Sequence, residues 1–434
     1  MIAQLYQHFT ASTGLTTDTR NIAVGNLFFA LKGATFNANT FAAEAFAAGA
    51  SYVVVDEIAH ADWPKQYGER LILVANVLET LQQLATHHRL QFTCPVLAIT
   101  GSNGKTTTKE LLAAALSKKY KTYFTKGNLN NHIGVPLTLL AIKSDAEFIV
   151  IEMGANHIGE IESYCKMVQP TFGLITNVGL AHLEGFGSFE GVVQGKTELY
   201  KSIASLGGKL FVSSENKRLL SELTKIGFMR KNVLQYGLDA SAVCVGKIVT
   251  NTEFLSVEVE GVTIQSNLIG DYNFENVMSA VAVAKYFGVA TSDIKSAIET
   301  YVPTNNRSQK INIGTNTIIL DAYNANPSSL LEALKNLERV ETTDSKIAII
   351  GQMMEMGAAS RFEHERIAEF ALGLNLAQVV FVGHQFSFIK ASHAALWFEK
   401  TDEVKAWFKK QNIAHSYVLI KGSRKNELEK IIQD

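Results

Sequence analysis

Ala98-Ile99-Thr100-Gly101-Ser102-Asn103-Gly104-Lys105-Thr106-Thr107 is the stretch that decides how this chain folds. Val96 to Ile99 form a short apolar run suited to a buried strand, two glycines follow, and Leu111, Leu112 and Leu116 then continue as a helix. Strand, glycine-bearing turn and helix in that order make a cradle for phosphate. Glycines let backbone N–H groups turn inward, and the helix N-terminus adds the positive end of its dipole. Lys105 supplies an ammonium for the β- and γ-phosphates, and Thr106 a hydroxyl for Mg²⁺. Gly101, Ser102, Asn103, Gly104, Lys105, Thr106 and Thr107 are therefore the expected nucleotide contacts. The loop departs from the common G-x-x-x-x-G-K pattern, whose first glycine would fall at Ile99. Binding of ATP or GTP is the expectation.

Outward from this loop, further short apolar runs alternate with helical patterns: Phe148 to Ile151, Phe172 to Ile175 and Leu210 to Val212. Such runs suit buried strands of a largely parallel sheet. Glu152 ends one of them, and Thr176-Asn177-Val178-Gly179-Leu180-Ala181-His182 follows another. Ligands of an open α/β sheet gather at the C-terminal ends of its strands, so Glu152 and His182 join Thr106 as expected metal ligands. Val257, Val259, Val262 and Ile264 alternate around Gly261 as a hairpin at a sheet edge, within a region running from 242 to 269. Val277, Ala280, Val281, Ala284 and Phe287 return to helical spacing, opened by Asn273 and Asn276. Asn273 is open to two roles, helix cap or base contact.

A small α/β unit precedes the loop, with strands at Leu27 to Leu31 and Tyr52 to Val55, a helix from Phe41 to Ala50 and another from Val77 to about Leu90. Cys94-Pro95 ends it. Pro303-Thr304-Asn305-Asn306-Arg307 reads as a linker into a last unit, with strands at Ile318 to Leu320, Ile347 to Ile350, Val379 to Val382 and Tyr417 to Ile420. A helix beginning beside Pro327 lies between the first two. The expected fold is three consecutive α/β domains: 1–94, a central phosphate-loop domain with a mostly parallel sheet over 95–307, and a Rossmann-like C-terminal domain over 308–434.

Composition narrows the function. Forty basic and forty-one acidic side chains nearly cancel in 434 residues, which argues against a broad nucleic-acid or membrane-surface binder. No apolar run spans a bilayer and no signal segment opens the chain, while three scattered cysteines suit a reducing compartment; a cytoplasmic enzyme is expected.

Thr-Gly-Ser-Asn-Gly-Lys-Thr-Thr at 100–107 resembles the shortened phosphate loop of the Mur ligases, the ATP-dependent amide-forming enzymes of peptidoglycan precursor synthesis. Residues 176–188 and Gly195-Lys196-Thr197-Glu198 resemble further family segments, as do Gly127 to Gly134, Gly270 to Asn276, Asp321 to Ser328 and Gly351 to Gly357. The resemblance implies ATP and Mg²⁺, with Lys196 carbamylated so that a cation becomes a carboxylate able to bind metal. It implies catalytic roles for Lys105, Lys196, His182 and Arg307, the last reaching the γ-phosphate. Asn273 and Asn276 would contact adenine, and Asp321 and Tyr323 the ribose side. Thr17 to Arg20 and Leu27 to Gly33 resemble the domain that holds the uridine nucleotide, so Asp18 and Arg20 join Asn130, Asn131, Asn326, Lys421, Ser423 and Arg424 as implied substrate contacts. Members that add diaminopimelate carry Asp-Asn-Pro-Arg; here Pro327 is followed by Ser328. Val418 to Arg424 instead resembles the members that join D-alanyl-D-alanine to UDP-N-acetylmuramoyl-tripeptide, and a monomer with those two substrates is implied. Folylpolyglutamate synthetases share the loop but lack the first domain, and a phosphate-loop regulatory protein is the reading from another class.

Overall fold

The computed structural model describes residues 1–249, 254–304, 306–391 and 395–433; Asn305 of the expected linker and 250–253 of the expected hairpin region lie outside the described residues. Three sheet-centred units follow one another. The first sheet has the order β1-β2-β3-β4, with β1 Leu15–Thr16, β2 Leu27–Phe29, β3 Tyr52–Val55 and β4 Leu71–Leu73, all parallel. β2 stops two residues short of the expected Leu31 because the Leu31 N–H turns back to the Phe29 carbonyl. The helix expected from Phe41 to Ala50 covers only Ala42–Ala47, since Asn37 caps a 3₁₀ turn over Ala38–Phe41 ahead of it.

The central sheet has seven strands in the order β11-β10-β9-β8-β5-β7-β6. They are β5 Val96–Thr100, β6 Thr122–Phe124, β7 Phe148–Glu152, β8 Phe172–Ile175, β9 Lys209–Ser213, β10 Val233–Gly237 and β11 Cys244–Val245. Every pairing in it is parallel. The two-residue period of a strand sends Val96 and Ala98 into one core layer and Leu97 and Ile99 into the other. Burial on both faces is why these strands read as unbroken apolar runs.

β12 Lys247–Val249, β13 Ser256–Val259 and β14 Val262–Gln265 form a separate antiparallel sheet. The hairpin is as expected, but it is not an edge of the central sheet. Val257, Val259 and Ile264 join Val277 and Val281 of the helix Phe274–Tyr286 in the apolar layer that also holds Leu97 and Ile99 of the central sheet.

The last sheet runs β15-β16-β20-β17-β18-β19: β15 Gln309–Ile313, β16 Asn316–Asp321, β17 Ser345–Gly351, β18 Gln378–Val382, β19 Leu396–Phe398 and β20 Ser416–Lys421. Only the β15–β16 pair is antiparallel.

Pro95 does not interrupt the core. Leu27, Val54, Leu81 and Leu84 share one apolar cluster with Val96, Ile149 and Ile161. Arg89, buried at the end of the helix Val77–Arg89, donates to the carbonyls of Phe92, Val168 and Gln169 at 2.8–3.0 Å. The first two units are therefore packed as one body. Among the described residues, no helix is long and apolar enough to cross a membrane.

Candidate active site

β5 lies between β7 and β8, whose chain connections leave to opposite sides, so a crevice opens at their C-terminal ends. The phosphate loop fills its floor. Gly101 and Gly104 hold φ of +145° and +77°. A Cβ at Gly101 would lie 2.0 Å from Thr176 Oγ1, and one at Gly104 would lie 2.3 Å from Asn276 Oδ1. Both positions therefore require glycine.

The segment after β8 braces the loop. Thr176 Oγ1 donates to the Asn103 carbonyl at 2.6 Å, the Asn103 N–H donates to Asn177 Oδ1 at 3.0 Å, and Ser102 Oγ donates to the Gly179 carbonyl at 3.1 Å. Lys105 Nζ curls onto the carbonyls of Gly101 (2.6 Å) and Ser102 (3.2 Å). Burial draws the pKa of Lys105 down to about 8, with Glu152 opposing the shift and Arg307 adding to it.

Glu152 is buried at the end of β7. Its Oε1 accepts from Thr106 Oγ1 at 3.1 Å and from Asn130 Nδ2 at 2.7 Å. Its Oε2 has no hydrogen-bond partner and lies 3.6 Å from the fully buried Lys109 Nζ. An orphaned carboxylate oxygen beside a hydroxyl is the chemistry a hard divalent cation takes up. Thr106 and Glu152 thus fit Mg²⁺.

His182 is engaged with the C-terminal unit: half-buried, at φ +53°, its Nδ1 is paired with Glu355 Oε2, and the pairing holds the Glu355 carboxyl below its usual range. Among the described residues no group of three or more His, Cys, Asp and Glu is arranged to hold a metal. Lys196 is buried behind the cleft wall, donating to the Ala155 carbonyl at 2.9 Å, 5.1 Å from the Phe186 ring. Burial, and then Lys105, hold its pKa well below that of an ordinary lysine.

These parts belong to one cleft of about 1020 Å³ between the central and C-terminal units. Its size is at the upper end of the usual range for a ligand pocket. Gly104, Lys105, Thr106, Asn130, Asn131, Glu152 and His182 line it from one side, and Asp321, Tyr323, Asn326 and Lys421 from the other. Arg307 stacks on the Tyr323 ring at 3.7 Å. Asp321 and Lys421, register partners on β16 and β20, form a largely buried ion pair at 2.5 Å. Asn273 and Asn276 also line the cleft. Asn273 makes no side-chain cap to its helix; it donates to the Ile269 carbonyl at 2.9 Å and accepts from Asn276 Nδ2 at 2.8 Å. Asn131 Oδ1 accepts from the Ile133 and Gly134 N–H groups where the helix Gly134–Leu140 begins.

Four of the implied substrate contacts lie outside the cleft lining. Asp18 and Arg20 pair with each other at 2.7 Å on the first unit, where Asp18 caps a 3₁₀ turn. Ser423 is buried and accepts from the Met354 N–H, and Arg424 pairs with Glu429. Sequence reasoning also passed over Lys109, although its i+4 spacing from Lys105 puts both on one helix face. The segments holding Thr176, Asn177 and Glu355 were singled out in the sequence, but their bracing and pairing roles were not, because each depends on contacts across the fold.

Residues 99–284 match the Mur ligase middle domain family, and residues 306–424 match the Mur ligase, glutamate ligase domain family. The UDP-N-acetylmuramoyl-tripeptide–D-alanyl-D-alanine ligase of Bacillus subtilis is 32% identical over 98% of this chain and 93% of its own length. The crystal structure of MurF from Acinetobacter baumannii superposes with a TM-score of 0.87 at 28% identity, covering 100% of this chain and 97% of that one. The MurF ligase of Thermotoga maritima in complex with ADP gives 0.84 at 25% identity over 98% and 97%. With profile matches in two units, a full-length relative above 30% identity and the same three-domain fold, this chain belongs to the Mur ligase family.

Proposed function

We propose that the chain joins D-alanyl-D-alanine to UDP-N-acetylmuramoyl-tripeptide at the expense of ATP, the reaction named for its curated relatives. The observation that carries this is one cleft holding a phosphate loop, a carboxylate with one oxygen lacking a hydrogen bond and, from the opposite wall, the Asp321–Lys421 pair. The tripeptide's terminal carboxylate oxygen attacks the γ-phosphorus of ATP and ADP leaves. The amine of D-alanyl-D-alanine then attacks the acyl carbon, phosphate departs with the C–O bonding pair, and the amine loses a proton as the amide forms. Phosphorylation is needed because oxide is not a viable leaving group.

Lys105 and Arg307 would offset charge on the phosphates during transfer. Thr106 and Glu152 would hold Mg²⁺, which supplies further neutralisation there. Asn273 and Asn276 would meet the adenine, and Asp321 and Tyr323 the ribose side. Asn130, Asn131 and Lys421 remain proposed substrate contacts, while the Asn326 side chain is engaged with Asn103 and the Ser329 N–H. For Asp18, Arg20, Ser423 and Arg424 a substrate role would require rearrangement of their present partners. Domain limits of 1–94, 95–307 and 308–434 suit this division of labour, and a cytoplasmic location suits an enzyme fed by ATP.

Lys196 is proposed to carry a carbamate. A buried amine with a depressed pKa keeps the free lone pair that adds to CO₂, with loss of one proton. The carbamate nitrogen retains one N–H for the Ala155 carbonyl. Labelled ¹³CO₂ should give a carbamate carbon resonance absent from Lys196→Ala.

Phosphate release tests the main reading. Pure protein with ATP should release phosphate only when UDP-tripeptide and D-alanyl-D-alanine are both present, with a product mass equal to the sum of the two less water. Release without either points instead to a plain nucleotidase.

A further inference from the structure

Asn103 is the phosphate-loop residue whose side chain reaches the C-terminal unit. Among the described hydrogen bonds of residues 101–107, its Oδ1 makes the one that crosses to the C-terminal unit, accepting from Asn326 Nδ2 at 2.7 Å. The orientation of Asn326 is not free. Its Oδ1 accepts from the Ser329 N–H at 2.9 Å and caps the helix Pro327–Arg339, and the Asn326 N–H donates to Ser329 Oγ at 3.2 Å. With the carbonyl end committed to the cap, only the amide end can face the loop.

A second contact reinforces the first. Ser328 Oγ accepts from the Leu180 N–H at 3.2 Å, and a Cβ at Gly179 would lie 2.9 Å from that oxygen. Gly179 is itself tied to Ser102 Oγ, so the helix's first turn rests on the phosphate loop and on the brace behind it at once. The same helix continues from the strand end that carries Asp321 and Tyr323.

We propose that Asn103 and Asn326 form a latch that couples order in the phosphate loop to the seating of the C-terminal unit, and so to the placement of the incoming amine. This rests on the ligase reading and deepens it: both asparagines are positioning residues, rather than a phosphate contact and a substrate contact. Nucleotide phosphates that order residues 101–107 fix the acceptor for Asn326, and the docked helix then holds Asp321 and Lys421 over the cleft.

The test uses the full chain with Mg-ADP and four variants. Asn326→Ser keeps a capping oxygen but is too short to reach Asn103. Asn103→Ala removes the acceptor. Asn103→Asp keeps it while adding a negative charge near the phosphates. The double variant Asn103→Ala/Asn326→Ser closes the cycle. In phosphate-release assays, Asn103→Ala and Asn326→Ser should each raise KM for D-alanyl-D-alanine about tenfold, with ADP affinity by calorimetry within about twofold of wild type. The double variant should be no worse than either single one. Asn103→Asp should show the opposite split, with weakened ADP and a near-normal amine KM. Small-angle scattering with Mg-ADP should give a larger radius of gyration for the two single variants than for wild type.

Equal radii for wild type and both variants, or effects that simply add in the double variant, would overturn the latch. So would a tenfold loss of ADP affinity in Asn103→Ala with Asn326→Ser unaffected, which would make Asn103 a phosphate ligand. Wild-type protein that releases no phosphate in response to D-alanyl-D-alanine defeats the ligase reading instead, and the scattering comparison still decides the latch.

Discussion

Lys105 shows how a single side chain is tuned by its surroundings. Its ammonium is partly desolvated and, with a pKa of about 8, loses its charge as the pH rises through that value. A bound phosphate favours the charged form and raises the pKa again. ADP binding should therefore take up about half a proton near pH 8, where Lys105 is half charged, and progressively less at lower pH, measurable by calorimetry in buffers of different ionisation enthalpy. No uptake at pH 8 would remove Lys105 from the phosphate site. Lys105→Ala should lower turnover at least 10²-fold, the scale of a lost electrostatic donor, while leaving thermal unfolding near that of wild type. Glu152→Ala should raise the Mg²⁺ concentration needed for half-maximal rate, since it removes the orphaned oxygen; an unchanged titration would exclude it as a ligand. The lysine and its glycines were legible in the sequence because a phosphate loop is local in the chain. Lys109, 3.6 Å from Glu152 across 43 positions, was not, because only the pairing of β5 with β7 brings the two together.

At the scale of elements, long buried strands announce themselves and short edge strands do not. Phe148–Glu152 and Ser416–Lys421 are wholly buried and were readable as apolar runs. Leu15–Thr16, Thr122–Phe124 and Leu396–Phe398 are only partly buried edge or near-edge pieces of two or three residues, too short to carry a period. The hairpin at 256–265 was recognisable from its alternation, but nothing local told whether it would join the central sheet. The joint between the first two units makes a sharper prediction. Arg89 is buried, and its guanidinium donates to three carbonyls, two of them beyond Pro95. Arg89→Ala should cost about 3 kcal/mol, the scale of lost charge-assisted hydrogen bonds that leave buried acceptors unpaired. Urea unfolding would measure it. A loss confined to residues 1–94, with the remainder unfolding as before, would show that the shared core does not couple the two units.

Across the whole molecule, the fold was legible as three consecutive units because each repeats the rhythm of strand and helix, whereas the way they meet was not. The cleft exists only where the strand ends of the central sheet face those of the C-terminal sheet, and that meeting also decides which amine is used. The opposite wall offers Lys421, already neutralised by Asp321 at 2.5 Å, and the uncharged Asn324, Asn326 and Ser328. Among these there is no guanidinium to pair with the extra carboxylate of diaminopimelate, and the Asp-Asn-Pro-Arg sequence of the members that add it is missing. Asp321 and the Asn324 carbonyl take two of the three Lys421 ammonium donors, and the third suits the single carboxylate of a dipeptide. The chain should therefore turn over UDP-tripeptide with D-alanyl-D-alanine and leave free lysine or diaminopimelate unused. Lys421→Met should raise KM for the dipeptide at least tenfold. The variant also leaves Asp321 buried without its partner, so its unfolding must be measured alongside; a stability loss of about 3–5 kcal/mol is the expected scale for breaking such a pair. A competition decides the assignment: UDP-dipeptide with lysine or diaminopimelate against UDP-tripeptide with D-alanyl-D-alanine, followed by product mass. Efficient turnover of the first pair and none of the second would move this chain to the preceding ligation step and leave only its membership of the Mur ligase family standing.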